Sequence, residues 1–168
     1  MSGTNDVVLY QELAAQNGKK IGVATLNSEK SLNALSLPMV ESLLPKLQAW
    51  QADSSISMVL LQGAGDKAFC AGGDIRDLYK AMLAEPGTYA PYVEEFFTKE
   101  YTLDYLIHTF GKPVLVWGNG ACRADGASAR QHLLEIASHA YLVIAPGKVR
   151  SGPTATERPA ERPRDMAG

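Results

Sequence analysis

The chain has 168 residues and a mass of 18.1 kDa, room for one domain and at most a small appendage. Its composition, 46% hydrophobic and 20% charged, excludes wholesale disorder and collagen-like repeats. A net charge of −2, from 16 basic and 18 acidic residues, sets up no field toward nucleic acid or anionic lipid, and no apolar run approaches the ~20 residues of a membrane span.

In chain order, the first elements are strand-like. Val7 to Tyr10 and Ile21 to Leu26 flank Asn17-Gly18, a hairpin turn signal. Ser36 before Leu37-Pro38 reads as an N-cap with proline in the first turn. The spacing of Val40, Leu43, Leu44, Leu47 and Trp50 predicts an amphipathic helix, which Pro45 is expected to kink or split. Met58 to Leu61 predicts a buried strand, followed by a glycine-rich loop from Gly63 to Gly73. Asp74 then caps a helix through Leu78 and Met82. A longer helix is expected over Tyr92 to Phe110, with Val93, Phe96, Phe97, Leu103, Leu106 and Ile107 inward. Gly111-Lys112-Pro113 stops it, and Val114 to Trp117 is another short buried strand. A final helix and strand are expected within Leu133 to Ala145. Alternating strands and helices predict an α/β architecture with a mostly parallel sheet.

The distribution of residues changes after Gly120. Before it lie one arginine, eight lysines and thirteen acidic residues; the last 48 residues hold six arginines, one lysine and five acidic residues. From Ser151 the chain reads SGPTATERPAERPRDMAG, with too little apolar surface to offset its ordering entropy, so 151–168 is expected to be a disordered tail. The expected division is therefore 1–120, a divergent helix–strand segment over 121–150, and the tail. Cys70 and Cys122 form neither a disulfide framework nor a metal quartet. Met1 to Leu9 lacks a basic segment followed by an apolar core, so no secretory signal and a cytoplasmic location are expected.

One loop carries chemistry. Lys67-Ala68-Phe69-Cys70-Ala71-Gly72-Gly73-Asp74-Ile75 joins a buried strand to a helix. Such a junction presents backbone N–H groups at the positive end of a helix, which suits an anion or a developing oxyanion. By spacing alone it is neither a dinucleotide fingerprint nor a Walker loop, and a tight structural turn explains it as well.

Read in full, K-A-F-C-A-G-G-D-I-R resembles the coenzyme A and thioester loop of the crotonase (enoyl-CoA hydratase/isomerase) superfamily. Leu32-Asn33-Ala34-Leu35 is similar to that family's N-A-L segment, and Lys112 to Gly120 to its strand and N-G turn. Together with the helix carrying Phe96-Phe97-Thr98-Lys99-Glu100-Tyr101, the chain resembles the 3-hydroxyisobutyryl-CoA hydrolase branch over about Val7 to Gly120.

The resemblance implies a partial crotonase-like spiral of ββα units acting on an acyl-CoA, with coenzyme A as part of the substrate and no metal or other cofactor. It implies that the Gly73 N–H is an oxyanion-hole donor to the thioester carbonyl. The loop backbone at Ala68, Phe69, Ala71 and Gly72 would line the coenzyme A, and Glu100 would touch substrate. It also implies a homo-oligomer, trimer or hexamer, with no nucleic-acid or membrane partner.

The sequence departs from the family after the N-G turn. It reads Ala121-Cys122-Arg123-Ala124-Asp125-Gly126, without the glycine triplet that supplies a second donor or the M-P-E-type segment that supplies a catalytic glutamate. Such a change of composition within one motif is what an out-of-frame reading of a GC-rich gene produces, and a truncated or frame-shifted member is expected. One missing oxyanion donor costs ~10²–10³ in rate and a missing general base another ~10²–10⁴, so thioester hydrolysis is expected to be slight. The alternatives are an enoyl-CoA hydratase/isomerase and a non-catalytic CoA-binding remnant.

Overall fold

The computed structural model describes residues 6–16, 18–84 and 90–118, and the backbone of 141–144. The fold begins with a hairpin. Strands β1 (Val8–Ala14) and β2 (Lys20–Leu26) pair antiparallel, with Val8 opposite Leu26 and Ala14 opposite Lys20. Gly18 takes φ +76° in the turn, which is why a glycine follows the strand there. After a single 3-10 turn at Glu29–Ser31 comes α1 (Leu37–Ala52), and then β3 (Ile56–Gly63), parallel to β2. Helices α2 (Ile75–Ala84) and α3 (Pro91–His108) lead to β4 (Val114–Gly118), parallel to β3. β5 (Tyr141–Ile144) adds a further parallel strand against β4, so the sheet order is β1-β2-β3-β4-β5. One antiparallel pair at the edge and three parallel pairs match the expected mostly parallel sheet.

The core lies between one sheet face and α1 and α3. Alternation along the strands turns Ala24, Leu26, Val59, Leu61, Val114 and Val116 to this face, where Met39, Val40, Leu43, Leu47, Trp50, Phe96, Leu103 and Ile107 meet them. Packing is tight enough that a Cβ built on Gly22 would stand 2.7 Å from the Trp50 ring. The Trp50 indole N–H donates to Glu12 Oε1 at 3.0 Å, which ties α1 to the hairpin. The Lys112 ammonium donates to the carbonyls of Trp50 (2.6 Å) and Asp53 (2.5 Å), so the turn before β4 also satisfies the end of α1.

Pro45 does not split α1, contrary to expectation: the helix runs unbroken from Leu37 to Ala52. A mid-helix proline costs about 3 kcal/mol. The flanking Leu43, Leu47 and Trp50 are all buried, each worth about 1.5–3 kcal/mol, and together they outweigh it. Ser36 occupies the N-cap position in extended conformation, but its hydroxyl makes no capping bond. At α2 the expected cap is made: Asp74 Oδ1 accepts the Arg76 N–H at 3.1 Å. The expected helix near Leu133, the Asn119-Gly120 turn and the 151–168 tail lie outside the described residues. Among those described, no helix is long and apolar enough to cross a membrane.

Candidate functional site

The loop between β3 and α2 is fixed at both ends by the turn that precedes α1. Asn33 is completely buried and holds a left-handed φ of 55°. Its Nδ2 donates to the carbonyls of Ala64 (3.0 Å) and Ala68 (2.8 Å), and its Oδ1 accepts the Ser28 N–H (2.9 Å). Two residues on, the Leu35 N–H donates to the Gly72 carbonyl (2.7 Å) and the Leu35 carbonyl accepts the Asp74 N–H (2.9 Å), an isolated parallel bridge between Leu35 and Gly73. In such a bridge the polar groups of the bridged residue point away from its partner, so the Gly73 N–H is turned from Leu35. Among the described residues it takes no part in the bonds that fix the loop.

Glycines let the loop close. A Cβ on Gly63 would stand 2.5 Å from the Phe69 carbonyl and 2.7 Å from Asn33 Nδ2, so no larger residue fits under the turn. Gly72 takes φ +91°, a conformation that side chains rarely adopt. The Cys70 sulfur accepts the Gly72 N–H at 3.4 Å, which orients the peptide just ahead of Gly73.

Beyond the loop lies a cleft of about 390 Å³, lined by Ala71, Gly72, Gly73 and residues of α2 and α3. Its walls are apolar: Ile75, Leu78 and Met82 from α2, and Val93, Phe96 and Phe97 from α3. Tyr79 also lines it, and among the described residues its one carboxylate is Glu100. Glu100 is 2% exposed, so the bland reading of a solvated helix glutamate is excluded. A Cβ on Gly73 would stand 3.5 Å from Glu100 Oε1 and 3.3 Å from the Phe96 ring, so the loop backbone lies close against both the carboxylate and the ring. On α3, burial pushes the Tyr92 phenol above its ordinary 10.0, and Asp77 and Asp74 add to the shift.

Of the expected site residues, the fold brings Ala71, Gly72, Gly73 and Glu100 together at this cleft. Ala68 and Phe69 are not among its walls. Both are buried beneath the loop, with the Ala68 carbonyl held by Asn33. Sequence reasoning assigned Phe96 and Phe97 only to the core and passed over Tyr79 and the bracing role of Asn33. The signal for Asn33 was present in the N-A-L segment, whose asparagine tolerates a left-handed turn better than most residues. Among the described residues no group of His, Cys, Asp and Glu is placed to hold a metal.

The chain that builds this cleft matches a known family along most of its length. The enoyl-CoA hydratase/isomerase family profile matches residues 21–139. The chain belongs to the enoyl-CoA hydratase/isomerase family. The family match runs past Gly120, where the motif-by-motif resemblance ends. Among curated relatives, a protein named 3-hydroxyisobutyryl-CoA hydrolase, mitochondrial, of Danio rerio is 42% identical over 114 residues, covering 67% of this chain and 28% of the relative. The protein of the same name from Homo sapiens is 39% identical over 111 residues, 66% of this chain and 28% of the relative. The chain thus spans less than a third of the length of these relatives. Among solved structures, a carnitinyl-CoA dehydratase of Mycobacterium thermoresistibile superposes with a TM-score of 0.60 at 33% identity, over 70% of this chain and 32% of that one. An enoyl-CoA hydratase of Rhodobacter sphaeroides gives 0.59 at 32% identity, over 68% and 32%. For this family member the architecture is therefore a partial crotonase-like α/β unit.

Proposed function

We propose that this chain binds an acyl-CoA and acts on its thioester, in the manner of a 3-hydroxyacyl-CoA hydrolase such as the relatives named for 3-hydroxyisobutyryl-CoA. The observation that carries the reading is that Gly73 and the buried Glu100 lie side by side in the lining of one apolar cleft. A thioester carbonyl laid against the loop would accept the Gly73 N–H at the start of α2, where the helix dipole adds to the stabilisation of negative charge on oxygen. Glu100, held on a buried helix, would meet a hydroxyl or water on the acyl side, and the apolar walls would take the carbon chain. Hydration of an enoyl-CoA is the second reading, supported by the hydratase and dehydratase among the structural neighbours.

Turnover by the chain is proposed to be slight, because positions 121–126 do not carry the glycine triplet expected to supply a second donor. A trimer or hexamer and a cytoplasmic location belong to the same proposal. The test is calorimetric titration with isobutyryl-CoA and with its thioether analogue S-isobutyl-CoA, which lacks the carbonyl oxygen. The thioester is expected to bind tighter, and Gly73→Pro, which deletes the N–H, to erase that preference. Equal binding of the two ligands by the unmodified chain would sink the proposal. Free-thiol release from 3-hydroxyisobutyryl-CoA measures the hydrolysis that remains.

A further inference from the structure

We infer that Asn33 is a positioning residue of the acyl-CoA site: from the turn before α1 it sets the path of the loop that carries Gly73. This rests on the acyl-CoA reading proposed above. Asn33 does not line the cleft, yet three of its four side-chain hydrogen-bonding positions are used on the backbone of the turn and of the loop beside the cleft. Two Nδ2 donors meet the Ala64 and Ala68 carbonyls, and Oδ1 meets the Ser28 N–H. Its own N–H donates to the Ser28 carbonyl at 2.9 Å. The side chain therefore fastens the first half of the loop to the turn, and Leu35, two residues on, fastens the second half through Gly72 and Asp74. Ala68 and Gly73 are thereby referred to one rigid element rather than to each other.

Geometry gives this consequence for binding. A donor that must meet a carbonyl oxygen at hydrogen-bond distance tolerates little displacement, and misplacement by about 1 Å costs up to ~10²-fold. Substituting Asn33 shifts the loop without touching the ligand. Asn33→Asp keeps the size, the left-handed turn and the Ser28 acceptor, but sets carboxylate oxygens against two carbonyls. Asn33→Gly keeps the turn and removes the brace. Ser31→Ala is the control: Ser31 Oγ bonds only within the turn, to the Ser28 carbonyl (3.0 Å) and hydroxyl (2.8 Å), and reaches no loop residue.

The experiment measures, in folded protein well below its melting temperature, the preference for isobutyryl-CoA over S-isobutyl-CoA together with amide exchange at Leu35 and Asp74. Both Asn33 variants are expected to lose about tenfold or more of the thioester preference and to exchange these two amides faster, while Ser31→Ala keeps both near the unmodified values. If Asn33→Asp fails to fold, Asn33→Gly carries the measurement. A folded Asn33 variant that keeps the unmodified preference for the thioester overturns the inference, as does an equal loss in Ser31→Ala, which would mark general loosening. Absence of any preference in the unmodified chain brings down the proposed function first, and this inference with it. A preference that survives both Asn33 substitutions brings down this inference alone.

Discussion

Two helices wall the cleft, and they are held in opposite ways. α3 sends Val93, Phe96, Glu100, Leu103 and Ile107 into the interior and packs along α1. α2 has no buried residue, and Ile75, Tyr79, Met82 and Leu83 stand 59–74% exposed. The carboxylate of the cleft thus sits on the more firmly packed of the two helices, and the outer wall of the cleft on the less firmly packed one. On the proposed reading, precision is concentrated where charge would meet a reacting atom, and shape, which an alkyl chain reads loosely, is left to the weakly anchored helix.

The largest expected effect comes from breaking that contrast in the core. Phe96→Ala removes a ring that is 1% exposed and should cost about 3–5 kcal/mol in chemical denaturation, whereas Leu83→Ala on α2 should stay within about 0.5 kcal/mol. Comparable losses at both positions would mean that α2 is anchored as firmly as α3.

A smaller effect separates chemistry from shape. Glu100→Gln preserves volume and should weaken binding of 3-hydroxyisobutyryl-CoA about tenfold, with little change for isobutyryl-CoA, which lacks the hydroxyl. Tyr79→Ala should weaken both ligands alike, through lost apolar contact. Titration of the two ligands against each variant checks the pattern, and an equal effect of Glu100→Gln on both ligands would remove Glu100 from the site.

The smallest effect is electrostatic. Lys99 on α3 bonds Glu41 of α1 and Glu95 of its own helix, both at 2.6 Å, and these bonds, Glu41 first, raise its pKa above the ordinary 10.5. Lys80 on α2 bonds, among the described residues, Asp77 three residues back, and is raised by that partner. A raised lysine stabilises the fold below its unfolded pKa, and the contribution is lost as pH rises through the folded value. The melting temperature is expected to fall above about pH 10.5 less steeply in Lys99→Met than in the unmodified chain, while Lys80→Met follows the unmodified curve. Added salt should narrow the difference.

Much of this arrangement was legible in the sequence, because it is written locally. The hairpin around Gly18, the helix after Ser36-Leu37-Pro38, the cap at Asp74 and the inward stripe of α3 all follow from spacing and turn chemistry. What escaped depends on contacts distant in the chain. Pro45 signals a break, but burial on either side of it overrides the signal. Glu100 falls on the inward stripe of α3 at the spacing of Phe96 and Leu103, yet a carboxylate is read as solvated until the loop that faces it is known. Ala68 and Phe69 belong to the motif that leads into the cleft, but both are buried and the Ala68 carbonyl is held by Asn33, a contact 35 residues away that the motif does not show. In β5 the strand expected near the end of Leu133 to Ala145 is present, parallel to β4.

The Asn33 brace also bears on the order in which the molecule assembles. Its bond to Ala68 joins positions 35 apart in the chain, with all of α1 and β3 between them. The β1–β2 hairpin closes over a handful of residues and needs nothing else in place. The loop from Gly63 to Gly73 must wait until β3 has found β2, since only then do the turn and the loop lie side by side. The proposed binding surface is therefore expected to form late in folding, and substitutions in the loop are expected to hasten unfolding while leaving the folding rate almost untouched.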